Sequence, residues 1–172
     1  VVCEGEGTAP LVRLLGSGAI FREIEAAAQL LKTDWGVSAE VWSVTSFSEL
    51  AKQAREVDRW NRLNPEAAVR ESYVSKCLSG GAPIIAATDY VRAWPQLISE
   101  YVDARFISLG TDGFGRSDTR TALRDFFEVS RHHIVLAAID GLVQDGVFPR
   151  SLLGEVISKY EIQHARGPSW LN

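Results

Sequence analysis

Cysteine is scarce in this sequence: Cys3 and Cys77 are the only two in 172 residues. They lie far apart and match no metal-ligand spacing, so neither a zinc knuckle nor a disulfide framework organises the chain. Two free thiols in a reducing cytoplasm is the expectation. Long apolar runs are also missing. No stretch approaches the roughly 20 residues that a helix needs to cross a bilayer, so no membrane segment is expected. Runs of lysine and arginine are absent and the net charge is -4, which argues against a nucleic-acid-binding face. The opening VVCEGEGTAP has neither a basic region nor an apolar core, so no signal peptide is expected there. The sequence starts on Val rather than Met and is expected to be a piece of something longer. No G-x-S-x-G elbow occurs, and no Lys-Ser/Thr pair follows a glycine-rich loop, which excludes a serine-hydrolase elbow and a P-loop.

What remains is the composition of an ordinary folded domain: 46% hydrophobic, 23% charged, with mean hydropathy -0.02. The length suits one domain with a sizeable core. Strand and helix patterns alternate. LVRLLGSG (11–18) is a short apolar run closed by glycines, as in a buried strand. Ile20, Ile24, Ala27, Ala28 and Leu31 then recur at helical spacing, and Gly36 closes that helix. VSAEVWSVTS (37–46) reads as a second strand. Ser46 and Glu49 have capping-box spacing for a helix over 47–63, which ends before Asn64-Pro65. Residues 65–80 read as a loop and a short helix. PIIAATD (83–89) and ARFISLG (104–110) read as strands, with YVRAWPQLISEYV between them as a helix that Pro95 starts or kinks. Beyond residue 118 the pattern is helical to about 160. The tail QHARGPSWLN is aperiodic and is expected to wrap or fray. Apolar strands alternating with helices imply helices on both faces of a mostly parallel sheet. The expected divisions are a linker over 1–10, one α/β domain over 11–160 and a tail over 161–172.

One stretch invites a functional reading. GTDGFGRSD (110–118) carries Gly110, Gly113 and Gly115 at the end of a strand and before a helix that Ser117 or Asp118 is placed to cap. Such a turn can hold an anion. The glycines run in the reverse order of the dinucleotide fingerprint, and Asp112 and Asp118 would repel phosphate. GSGAIF (16–21) has Phe21 in place of the third glycine. Three readings stay open: a tight strand-to-helix turn, a small-molecule or nucleotide site using the loops at 16–18 and 110–118, and a surface shaped for another protein, with Phe114 as an exposed anchor.

Other residues carry weaker signals. His132 and His133 are adjacent and so do not form an i, i+4 metal pair; a helix-start or interface role suits them, and His164 lies in the tail. Asp89 and Asp112 follow successive strands, where a carboxylate pair serves acid/base chemistry or a divalent ion, though such residues more often cap helices. Trp35, Trp42, Trp60 and Trp94 lie among apolar positions and are expected in the core. Trp60, beside Arg59, Asn61 and Arg62, also suits a subunit contact.

Several blocks together resemble a known family. They are LLGSGAIFREIEAAAQLL, WGVSAEVWSVTSFSEL, DRWNRLNP, ATDYVRAWPQLI and, above all, LGTDGFGRSDTRTALRDFFEV. In this order, from about residue 10 to 160, they resemble the C-terminal domain of the homodimeric pyruvate dehydrogenase decarboxylating component. The resemblance implies a transketolase C-terminal fold: three α/β/α layers around a five-stranded, mostly parallel sheet, with the unread strand in 65–80. It implies a parent enzyme that decarboxylates pyruvate on thiamine diphosphate with Mg²⁺. That parent passes the acetyl group to the lipoyl arm of the dihydrolipoyl acetyltransferase core. The family holds its cofactor with a Gly-Asp-Gly motif and a downstream Asn pair, and this sequence has neither. No catalytic, cofactor or metal residue carries over. The resemblance implies instead a domain that packs on the rest of its enzyme and helps form a homodimer, with Asp112, Phe114, Arg116, Asp118 and Trp60 as interface residues.

Overall fold

The computed structural model describes residues 9–163 and 167–171. Cys3 and His164 lie outside them. Four strands form one parallel sheet: β1 (Leu11–Gly16), β2 (Ser38–Ser43), β3 (Ile84–Ala87) and β4 (Phe106–Leu109), in the order β2-β1-β3-β4. Leu11 pairs with Ser38, Arg13 with Ile84 and Ile84 with Phe106. Among the described residues seven α-helices surround it: α1 (Phe21–Trp35), α2 (Phe47–Leu63), α3 (Tyr73–Cys77), α4 (Ala93–Gln96), α5 (Arg120–Phe126), α6 (Arg131–Gln144) and α7 (Leu152–Lys159). Short 3₁₀ turns stand at Gly18–Ile20, Ser99–Tyr101 and Ser169–Leu171.

Alternation along the strands divides the core in two. Val12, Leu14, Val41, Ile85 and Ala87 face Ile24, Ala27 and Leu31 of α1 and Ile134, Ala138 and Ile139 of α6. Leu15, Ile84 and Ala86 face Ala51 and Ala54 of α2, Val74 of α3 and Ile98. The central strands are covered on both sides, so their sequences read as apolar runs. Arg13 interrupts β1, and its charge is matched by Glu40 on the adjoining strand at 2.7 Å. The expected three-layer α/β/α architecture is what the chain forms.

Local signals placed most boundaries. Gly36 ends α1 at φ 64, a left-handed conformation that costs glycine little. The Ser46 hydroxyl accepts the Glu49 N–H at 3.2 Å and starts α2. Four expectations need correction. The sheet has four strands among the described residues, not five. The segment expected to hide the fifth contains α3, preceded by exposed residues that Asn61 pins to the backbone of Arg70 on the outer side of α2. The helix read through YVRAWPQLISEYV is one turn, α4, followed by the 3₁₀ turn at Ser99–Tyr101. The helix read from 118 to 160 breaks twice, at Glu128 (φ 56) and at Gly146 (φ 76). Trp94 is 46% exposed rather than in the core, and Trp35 and Trp42 pack at core edges.

Candidate functional site

The loop after β4 interlocks with the loop after β3. A side chain at Gly110 would stand 2.7 Å from the Arg92 nitrogen and the Tyr90 oxygen. That close approach lets the Thr111 N–H donate to the Tyr90 carbonyl at 2.9 Å and its hydroxyl donate to the Asp89 carbonyl at 2.8 Å. One residue on, Asp112 accepts from the Arg92 backbone N–H at 2.9 Å and from the Arg92 guanidinium. Partial burial alone would raise the Asp112 carboxyl. The Arg92 hydrogen bonds and charge outweigh it and hold the group below the usual aspartate range.

The same loop receives the end of the chain. Gly113 adopts φ 106, and a Cβ there would meet the Ser169 carbonyl oxygen at 2.8 Å. The Ser169 hydroxyl donates to the Asp112 carbonyl at 2.8 Å, and the Arg92 guanidinium lies 4.5 Å from the centre of the Trp170 ring. Two of the three glycines thus admit neighbouring backbone rather than a ligand. Gly115 has no described residue within 4 Å of its Cβ position. Between them Phe114 is 84% exposed. Arg116 lies over the Phe126 ring at 4.8 Å and reaches Asp118 at 3.7 Å. The cap expected at Ser117 or Asp118 falls instead on Thr119. Thr119 caps α5 through the Ala122 N–H at 3.3 Å, while Asp118 accepts the Thr119 N–H.

Trp60 is half-buried at the far side of α2, where the Arg70 guanidinium covers its ring at 3.5 Å. Asp89 and Asp112 do not form a carboxylate pair: Asp112 is bound to Arg92, and exposed Asp89 lies beside Gly18. Among the described residues no group of three His, Cys, Asp or Glu side chains is placed to hold a metal. His132 and His133 lie in the first turn of α6. His133 Nδ1 is 2.8 Å from the capping-position hydroxyl of Ser130, and burial lowers its pKa. His132 stacks flat on Tyr160 at 4.7 Å. Tyr160 donates to Asp34 and accepts from the Trp35 indole, both at 2.9 Å. Its phenol is pushed up to about 12, by burial first and by the Asp34 carboxylate, against the Trp35 hydrogen bond.

Sequence reasoning missed two residues that organise this end. Arg92 is one. Glu23 is the other: it is 3% exposed and binds Arg124 at 2.8 Å and Arg131 at 2.9 Å, with the Arg131 backbone N–H at 3.0 Å. It ties α1 to α5 and α6. Its signal was its position, since residue 23 shares the helical stripe of Ile20, Ile24 and Ala27.

A parallel sheet in the order 2-1-3-4 with helices on both faces is a doubly wound α/β domain. Two transketolase structures share this fold. One is a split-gene transketolase described as an inactive beta4 tetramer (TM-score 0.54, 16% identity, covering 81% of this chain and 41% of that one). The other is the transketolase of Leishmania mexicana (TM-score 0.54, 20% identity, covering 84% and 18%). The chain belongs to the transketolase-like C-terminal domain family, whose model matches residues 1–130. Curated relatives are each named "Pyruvate dehydrogenase E1 component". That of Cupriavidus necator is 52% identical over 90% of this chain, that of Pseudomonas aeruginosa 50% over 88%, and that of Escherichia coli 41% over 91%. The chain spans only 17%, 17% and 18% of their respective lengths.

Proposed function

We propose that this chain is the C-terminal domain of a pyruvate dehydrogenase E1 component, a docking and assembly domain that performs no chemistry alone. The observation that carries the proposal is 52% identity to such a component across 90% of the chain. In this reading the parent is a cytoplasmic homodimer that oxidatively decarboxylates pyruvate and hands the acetyl group to a dihydrolipoyl acetyltransferase core.

The parent's thiamine diphosphate and Mg²⁺ do not fit this chain's residues. Magnesium asks for an octahedron of oxygen ligands around the diphosphate. Asp112, the carboxylate best placed at a strand end, is already paired with Arg92, and the nearby glycines admit backbone. The cofactor belongs to the parent's other domains in this reading. What the loop after β4 offers is Phe114, held on a frame of Asp112, Arg116 and Asp118. A large aromatic exposed on an ordered loop suits an interface anchor. Trp60, half-buried under Arg70, is the second contact of this reading.

The test is the mass of the natural gene's product, together with a titration by thiamine diphosphate and Mg²⁺. A product several times heavier than 18.9 kDa that binds the cofactor saturably is expected. A product of 18.9 kDa that binds none would refute the reading.

A further inference from the structure

A crevice of about 660 Å³ opens beyond the carboxyl ends of β1, β2 and β3. It lies where the strand order reverses: β1 leads to β2 on one side and to β3 on the other. Open α/β sheets take their ligands at such switch points, and the volume lies in the usual range for small-molecule sites. Its lining is unusual in chemistry. Among the described residues, none that lines it is charged. Hydroxyls line it from three places: Ser17 after β1, Thr45 after β2 with Ser48 in the first turn of α2, and Thr88 after β3; the Ser48 hydroxyl pairs with that of Ser46 at 3.0 Å. Thr88 is buried, and its oxygen accepts from the Ser17 hydroxyl at 3.1 Å and from the Tyr90 N–H at 3.2 Å. Two aromatic rings also line it, Tyr90 at 66% exposure and Trp94 at 46%.

Charge decides the ligand class. The amino end of α2 reaches this crevice and alone would favour an anion. No described lysine or arginine lines the crevice with it. A charged side chain beside it is negative: an Asp89 oxygen lies 3.0 Å from the Cβ position of Gly18, which lines the crevice. A phosphate there would meet a carboxylate without a compensating cation. Uncharged hydroxyls suit sugar hydroxyls, and exposed aromatic rings suit a flat ring.

We propose that this crevice binds a neutral ligand in which a flat ring carries a sugar, the chemistry of an unphosphorylated nucleoside. The site does not depend on which enzyme the chain belongs to. The test titrates the natural gene's product with adenosine and with AMP, following tryptophan fluorescence and confirming by calorimetry. Adenosine is expected to bind saturably, about tenfold or more tighter than AMP. Trp94→Ala should weaken adenosine about tenfold with unchanged thermal unfolding, and Asp89→Asn should narrow the preference over AMP. AMP binding as tightly as adenosine, adenosine binding that ignores Trp94→Ala, or no binding of either probe would each overturn the proposal. None of these outcomes alters the mass or the thiamine diphosphate binding that test the proposed parent.

Discussion

Glu23 places a carboxylate on the buried stripe of an amphipathic helix, where an unpaired charge would be costly. Burial alone would raise its pKa. The hydrogen bonds from Arg131 and the charges of Arg131 and Arg124 outweigh that, so the folded-state value is lowered. The sign of the pH effect follows. Between the lowered folded value and the ordinary glutamate value of about 4.3, the unfolded chain binds more protons than the native one. The stabilisation is therefore complete above the ordinary value and disappears as pH falls through the folded one. Glu23→Gln keeps the shape and removes the charge. It should cost about 2 kcal/mol in urea unfolding at neutral pH, as for hydrogen bonds to charged groups. The gap between wild type and variant should close in acid. A gap that stayed constant down to strongly acidic pH would mean that the carboxylate charge contributes nothing.

At the scale of elements, the structure joins pieces that the sequence keeps far apart. The loop after β4 is the seat of the 3₁₀ turn at Ser169–Leu171, and Gly113 leaves no room there for a side chain. Gly113→Ala would force a Cβ onto the Ser169 carbonyl and hold a non-glycine residue at φ 106. We expect a loss of about 1–3 kcal/mol and faster hydrogen exchange at Leu171, whose N–H donates to Pro168. Gly115→Ala is the control, since no described residue lies near its Cβ position, and it should stay within about 0.5 kcal/mol. Equal effects from the two variants would refute the close-approach account.

The same contrast explains what was legible in the sequence. Gly36 and Ser46 act within a turn of their own helices, and the apolar periods of β1, α1 and α2 are local, so those boundaries could be read. The turn from α5 to α6 could not. It rests on Glu128 at positive φ, which no glycine marks. Asp112 reads as a free strand-end carboxylate until Arg92, 20 residues earlier, is seen to hold it. The fifth strand came from the family expectation, and nothing in the exposed, charged stretch after Pro65 had asked for it.

For the whole molecule, the question is whether the loop that seats the chain's end also faces a partner. Phe114 separates the two roles better than its neighbours do. Arg116 already lies over Phe126 and near Asp118, so Arg116→Glu would bring like charges together and disturb α5 as well as any interface. Phe114, at 84% exposure, has little to lose within the chain. Phe114→Ala should therefore leave the unfolding free energy of the 172-residue chain within about 0.5 kcal/mol of wild type. In the natural gene's product, the same change should weaken dimerisation or domain docking by about 2 kcal/mol, the scale of an aromatic anchor. Sedimentation of that product across a dilution series reads the self-association that the proposal expects. Unaltered dissociation and activity would leave Phe114 a solvent-facing side chain and remove the loop after β4 from the interface. A loss confined to assembly would separate the loop's two tasks, with Gly113 shaping it for the chain's own end and Phe114 turned toward the partner.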